Sequence, residues 1–258
     1  MRNELFSWIS GVTLAFGTMS VSAGPVIIAH RGASAVAPEN TRSAIEAAIR
    51  MGATVIEFDV RETSDGELVL FHDDELERLT GKKGKFASLS WDEMREFDVG
   101  SWFKSGDFAG EKLILFSDAV KLCLEHNVTP LIEHKTGKAE DYTAVLEELD
   151  AVESVIVQSF NWEFLNDMKE QLPSLVIGAL GSKPLDGKRM GYLSRLKPDW
   201  VGWKFSDLSK EGFADLKEQG YLVALWTVND SAEAEKWIKR GIDGVITDYP
   251  EQMMKLLD

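Results

Sequence analysis

Four short stretches of this 258-residue chain carry side chains that could do chemistry together. Glu57-Phe58-Asp59 spaces two carboxylates so that an extended strand turns both to one face. Glu133-His134-Lys135 repeats the spacing, with Glu133 and Lys135 on one face and His134 on the other. His30-Arg31-Gly32 and His72-Asp73 add two imidazoles, which titrate near neutral pH and suit general acid–base work. Any one carboxylate alone reads as a surface charge or an ion-pair partner, because the chain has 43 acidic residues. Glu57, Asp59 and Glu133 gathered in one low-dielectric site would be costly unless a cation sat among them. An all-oxygen ligand set suits one hard divalent ion, Ca²⁺ or Mg²⁺, rather than zinc. Arg31 and Lys135 could balance the same charge, and a guanidinium is also shaped for bidentate contact with phosphate. His126, at a helix end, reads as an ordinary hydrogen-bonded residue, and Ser159 and Cys123 lack the setting of a nucleophile.

The elements that must bring these residues together follow from the hydrophobic pattern. Apolar or β-branched runs occur at 26–29, 55–59, 129–133, 155–158, 176–180, 200–204, 222–226 and 244–247. Between most of them lie amphipathic helical stretches. Residues 41–51 put Ala44, Ile45, Ala48 and Ile49 on one face before a stop at Gly52. Residues 231–240 group Ala234, Trp237 and Ile238 before Gly241. Strand alternating with helix implies parallel pairing through right-handed crossovers. Eight runs favour a closed (β/α)8 TIM barrel over an open doubly wound sheet, and such a barrel takes roughly 250 residues. No Gly-x-Gly-x-x-Gly follows the first run, which weakens a dinucleotide-binding reading. On a barrel, chemistry gathers at the C-terminal strand ends, where the four stretches fall.

Two segments depart from the repeat. Residues 61–72 contain the turn signal Thr63-Ser64-Asp65-Gly66 and then Leu68-Val69-Leu70-Phe71. That connection is too short for a parallel crossover, so the second run folds back as a hairpin and delivers His72 to the mouth. Residues 74–116 form a small polar insertion after the second strand, with Trp91, Trp102 and Phe103, expected at the active-site rim. No linker divides residues 24–258, which read as one barrel domain.

The formal charge of −15 disfavours nucleic acid as a partner but leaves room for a small phosphate compound beside a bound cation. Residues 1–23 stand apart as a secretory leader: Leu5 to Met19 is mostly apolar and Val21-Ser22-Ala23 precedes a cut before Gly24. The run is too short for a stable membrane span, which needs about 20 apolar residues. The expected location is periplasmic or secreted, or cytoplasmic if the segment is retained. Cys123 is the only cysteine, so no intrachain disulfide can form.

The ordered series His30-Arg31-Gly32, Pro38-Glu39-Asn40-Thr41, Glu57-Phe58-Asp59, His72-Asp73, Ile132-Glu133-His134-Lys135, Ser159-Phe160, Trp226-Thr227-Val228-Asn229 and Gly244-Val245-Ile246-Thr247-Asp248-Tyr249-Pro250 resembles the glycerophosphodiester phosphodiesterase family. The resemblance covers nearly the whole chain after residue 23. It implies a divalent metal on Glu57, Asp59 and Glu133, general acid–base roles for His30 and His72, and phosphate contacts from Arg31 and Lys135. Glu39 matches a family glutamate that either supports the site or ligates the metal. Trp226 would wall the glycerol moiety or simply pack in the core. The implied reaction is hydrolysis of a small-molecule glycerophosphodiester to sn-glycerol 3-phosphate and an alcohol. The attacker is water or the glycerol 2-hydroxyl, and either histidine could be the base. Rival readings are a barrel phosphodiesterase for lysophospholipids or other phospholipid headgroups, and a catalytically silent phospho-ligand-binding barrel. Two departures from the family pattern are Leu113-Ile114-Leu115-Phe116, where a Pro-Thr-Leu helix entry is usual, and His134 in place of an apolar residue.

If the leader is cleaved, protein from its native cells should begin at or near Gly24. N-terminal sequencing checks this, and an intact leader on cytosolic protein would overturn it.

Overall fold

The computed structural model describes residues 24–257, so the leader expected over 1–23 lies outside the described residues. Nine strands are formed: β1 (Val26–Ala29), β2 (Val55–Glu62), β3 (Leu68–Leu70), β4 (Thr129–His134), β5 (Ile156–Ser159), β6 (Val176–Gly181), β7 (Trp200–Lys204), β8 (Leu222–Trp226) and β9 (Gly244–Thr247). All except β3 are parallel to their neighbours. β1 pairs with β9 on one side and β2 on the other, which closes the eight-stranded ring. β3 hangs antiparallel on the end of β2, with Val60 opposite Leu70 and Glu62 opposite Leu68, the hairpin the short connection requires.

Alternation along each strand sorts its side chains into two layers. On β2, Ile56, Phe58 and Val60 face outward into the large core beneath the helices, while Val55 faces inward. Val55 joins Ile28, Leu131, Ile156, Trp200, Ala224 and Ile246 in an apolar plug inside the barrel. Each of the Val, Ile and Leu side chains among them stabilises the fold by about 1.5–3 kcal/mol on burial. Farther along the same inward face of β2 stand Glu57 and Asp59, so the polar site sits on an apolar floor.

Helix starts follow local chemistry. Arg42–Arg50 is capped by Thr41, whose hydroxyl accepts the Ala44 amide. Phe116–Glu125 begins after Leu115 with no side-chain cap. Its first residue, Phe116, is instead fully buried against Tyr142, with ring centroids 5.5 Å apart. The unusual apolar entry there is anchored by packing.

The insertion holds the short helices Glu77–Thr80 and Trp91–Met94 and has its own small core. Phe71, the residue before His72, stacks on Phe86 with centroids 4.9 Å apart, beside Leu76, Leu79 and Met94. Such a pair contributes about 0.5–1.5 kcal/mol beyond its area. Among the described residues no helix is long and apolar enough to cross a membrane.

Inside the barrel, Gly178 of β6 lies in register with Trp200, and a Cβ at Gly178 would overlap that buried indole. Gly178→Ala should therefore cost about 1–3 kcal/mol through overpacking. A urea unfolding midpoint unchanged from wild type would contradict this.

Candidate active site

Strand register assembles the acidic cluster. The parallel pairing of β2 with β4 sets Asp59 directly beside Glu133, and Glu57 lies two residues back on the same face. Glu57 and Asp59 are 0 % and 1 % exposed, and one oxygen from each of the three carboxylates lies within 4.8 Å of the others. Glu57 Oε2 accepts the Arg31 amide at 2.9 Å, while Glu57 Oε1 and Asp59 Oδ1 are buried and accept no hydrogen bond. Burial, followed by repulsion from Asp59 and Glu133, pushes the Glu57 carboxyl well above the usual range. Burial and Asp59 also raise Glu133, against the pull of Lys135. For Asp59, burial acts upward, but Arg31, Lys135 and His72 outweigh it and hold the carboxylate low. Two orphaned carboxylate oxygens in a buried, acidic pocket fit a hard cation, so the residues present suit a divalent metal.

Two cations border the cluster. Lys135 Nζ donates to Glu133 Oε1 at 2.8 Å and lies 3.6 Å from Asp59 Oδ1. Arg31 Nη1 donates to Glu39 Oε1 at 2.8 Å, and its Nε lies 3.2 Å from Asp59 Oδ2. Burial lowers the affinity of each cation for its proton, and the surrounding carboxylates more than reverse this. Arg31 sits in a left-handed backbone conformation at φ 54°, followed by Gly32 at φ 79°. A Cβ at Gly32 would come within 2.6 Å of the Ala44 backbone, so only glycine fits there. Strained backbone of this kind tends to be kept where a site needs it.

Each mouth histidine has an aspartate behind it. His30 Nδ1 lies 2.6 Å from Asp248 Oδ1, and Asp248 also accepts from Ser34 Oγ and Asn229 Nδ2. His72 Nδ1 lies 2.7 Å from Asp73 Oδ1. Burial acts upward on both aspartates, but their partners hold each carboxyl down at about 2. An ionised carboxylate so placed fixes the proton on Nδ1 and turns Nε2 away from it. Burial also lowers His72, only partly offset by Asp59.

Glu39 and Asn40 precede the helix Arg42–Arg50. Glu39 is bound by Arg31 and by Arg78 and stands apart from the three-carboxylate group, which places it as support. Asn40 exchanges two hydrogen bonds with Asp59, through the side chain at 2.9 Å and the Asp59 amide at 3.0 Å. Trp226 packs at the top of the interior plug, edge-on to the half-exposed Phe160 with centroids 5.4 Å apart. His134 turns outward from β4 as its spacing predicts, stacked 3.5 Å from Phe164 and bonded to Ser159 Oγ and the Gly137 carbonyl. Burial drops His134 to about 4. It and Ser159 are structural partners of each other.

Sequence reading gave no role to Asn40, Asp73, Arg78, Asn229 or Asp248. Asp73 was signalled by its adjacency to His72. The remainder become partners only when the barrel closes or the insertion folds.

Comparison with known proteins agrees with this geometry. Residues 30–252 match the model of the glycerophosphoryl diester phosphodiesterase family. A glycerophosphodiester phosphodiesterase from Caldanaerobacter subterraneus subsp. tengcongensis is 33% identical over 239 residues, covering 90% of this chain and 97% of the relative. The structure of an Oleispira antarctica phosphodiesterase in complex with the product sn-glycerol-3-phosphate superposes with TM-score 0.84 at 28% identity, over 91% of this chain and 97% of the other. Glycerophosphodiester phosphodiesterase from Thermotoga maritima gives TM-score 0.72 at 27% identity, over 91% and 99%. Because the family match begins at the first mouth histidine and spans every strand end that builds the site, the chain belongs to the glycerophosphoryl diester phosphodiesterase family and is a hydrolase.

Proposed function

We propose that this enzyme hydrolyses glycerophosphodiesters to sn-glycerol 3-phosphate and an alcohol, with one divalent cation, Ca²⁺ or Mg²⁺, held by Glu57, Asp59 and Glu133. The observation that carries the reading is the pair of His–Asp couples beside a buried carboxylate group with two oxygens left unpartnered. When bound, the cation would draw charge from a phosphate oxygen and fix its orientation. Arg31 and Lys135 hold the remaining phosphate charge. His72, kept neutral by burial, takes the proton of the attacking oxygen at Nε2. His30, backed by Asp248, delivers a proton to the leaving alkoxide. Trp226 and Phe160 offer apolar surface to the carbon atoms of glycerol or of the alcohol. The product held by the Oleispira antarctica relative supports glycerol 3-phosphate as the retained half.

Single substitutions separate these roles. Glu57→Gln and Glu133→Gln should weaken metal binding in a calorimetric titration, since each replaces a charged ligand with a neutral one. His72→Ala should bind metal normally while release of glycerol 3-phosphate slows by roughly 10²–10⁴-fold. His30→Ala should recover on a substrate with a better leaving group. Unchanged metal affinity in both carboxylate variants sinks the metal site, and full activity in both His variants sinks the acid–base pair.

Metal affinity should also depend on pH. Because the Glu57 carboxyl is raised, the metal-free site retains a proton above the ordinary carboxylate range, and the metal must displace it. Affinity therefore rises with pH through the weakly acidic range and levels off once the free carboxyl is ionised. Titration in two buffers of different ionisation enthalpy reads the released proton. No release there would show that Glu57 is not a ligand.

A further inference from the structure

We infer that Arg78, supplied by the insertion, is the positioning residue for His72 and links the folding of that insertion to proton transfer at the barrel mouth. The inference rests on the reading of His72 as an acid–base group. Arg78 spends every nitrogen of its guanidinium on two carboxylates that border the site. Nε donates to Asp73 Oδ2 at 2.5 Å, Nη1 to Glu39 Oε2 at 2.8 Å and Nη2 to Glu39 Oε1 at 2.7 Å. The other oxygen of Asp73 holds His72 Nδ1, and Glu39 Oε1 also takes Arg31 Nη1. One planar fork thus connects the imidazole to the cation beside Asp59.

The two histidines are held by different means. Asp248, behind His30, is fixed by Asn229 and Ser34, which sit on loops of the barrel itself. Asp73, behind His72, lies on the return of the hairpin, where the Arg78 guanidinium from the insertion donates to its Oδ2. Without that anchor the Asp73 carboxylate could rotate and release the ring. A planar guanidinium holds Glu39 with two parallel N–H groups while its Nε holds Asp73, a fork that an ammonium does not reproduce.

Arg78 is in turn placed by the insertion core. It stands in the helix Glu77–Thr80 between Leu76 and Leu79, which are 1 % and 3 % exposed and pack with Phe71 and Phe86. Gly81 closes the helix in the left-handed conformation, and the Trp102 ring lies 5.9 Å from the guanidinium carbon. Phe71 is shared between this core and the residue next to His72. The insertion therefore sets both the backbone beneath His72 and the carboxylate behind it.

Arg78→Ala and Arg78→Lys provide the test. With a glycerophosphodiester at saturating metal, kcat of Arg78→Ala should fall roughly 10–100-fold, the usual effect of removing such a supporting partner, with KM little changed. Arg78→Lys, which keeps the charge but lacks the planar fork, should recover part of the loss. Nitrogen-15 spectra of the His72 ring should show the Nδ1–H tautomer in wild type, a mixture in Arg78→Ala and an intermediate state in Arg78→Lys. Metal affinity and the unfolding midpoint report structural damage separately. A loss of kcat that tracks the midpoint while the tautomer stays fixed would overturn the inference, as would unchanged kcat. The ring spectra need no substrate, so a wild type without phosphodiesterase activity would refute the proposed function while leaving this inference testable.

Discussion

The parallel register between β2 and β4 buries Asp59 beside Glu133 with Glu57 on the same face, and much of the remaining architecture answers that concentration of charge. Moving one carboxylate from water into a protein interior still costs several kcal/mol after relaxation. Burial, with the mutual repulsion of three carboxylates in one pocket, raises Glu57 and Glu133, while Asp59, flanked by both cations, is held low. Arg31 and Lys135 neutralise part of the charge, and the Arg31 amide and Asn40 orient the oxygens they reach. Two buried oxygens remain without a donor. A protein built only for stability would fill that space with apolar side chains, which commonly match or exceed a buried ionic group in stability. The pocket is therefore costly to the fold, a cost that the proposed cation accounts for.

The same constraint explains how the backbone around the site is spent. Arg31, Gly32 and Asn40 all lie at positive φ, packing a turn between β1 and the first helix tightly enough for a main-chain amide to meet Glu57. Short strands on an apolar floor hold the carboxylates rigidly from below. The loops above supply two imidazoles, each held at Nδ1 by an aspartate. A net charge of −15 repels anions at long range, so the proposed phosphate substrate would depend on the local field of Arg31, Lys135 and the proposed cation.

The sequence by itself determined the barrel, the hairpin and the carboxylates that share one face of β2 and β4. Those features are local: alternation fixes which face a residue occupies, a short turn forbids a parallel crossover, and carboxylates two apart on a strand must share a face. His134 was legible for the same reason, since a residue between Glu133 and Lys135 has to turn outward. The tertiary structure decided the partners. Asp248 meets His30 across 218 residues because β9 closes on β1, and Arg78 reaches Glu39 across 39 because the insertion folds over the first loop. Neither contact leaves a periodic trace along the chain. That Glu39 stands outside the three-carboxylate group was likewise a matter of distance in space, and two guanidinium groups hold it there.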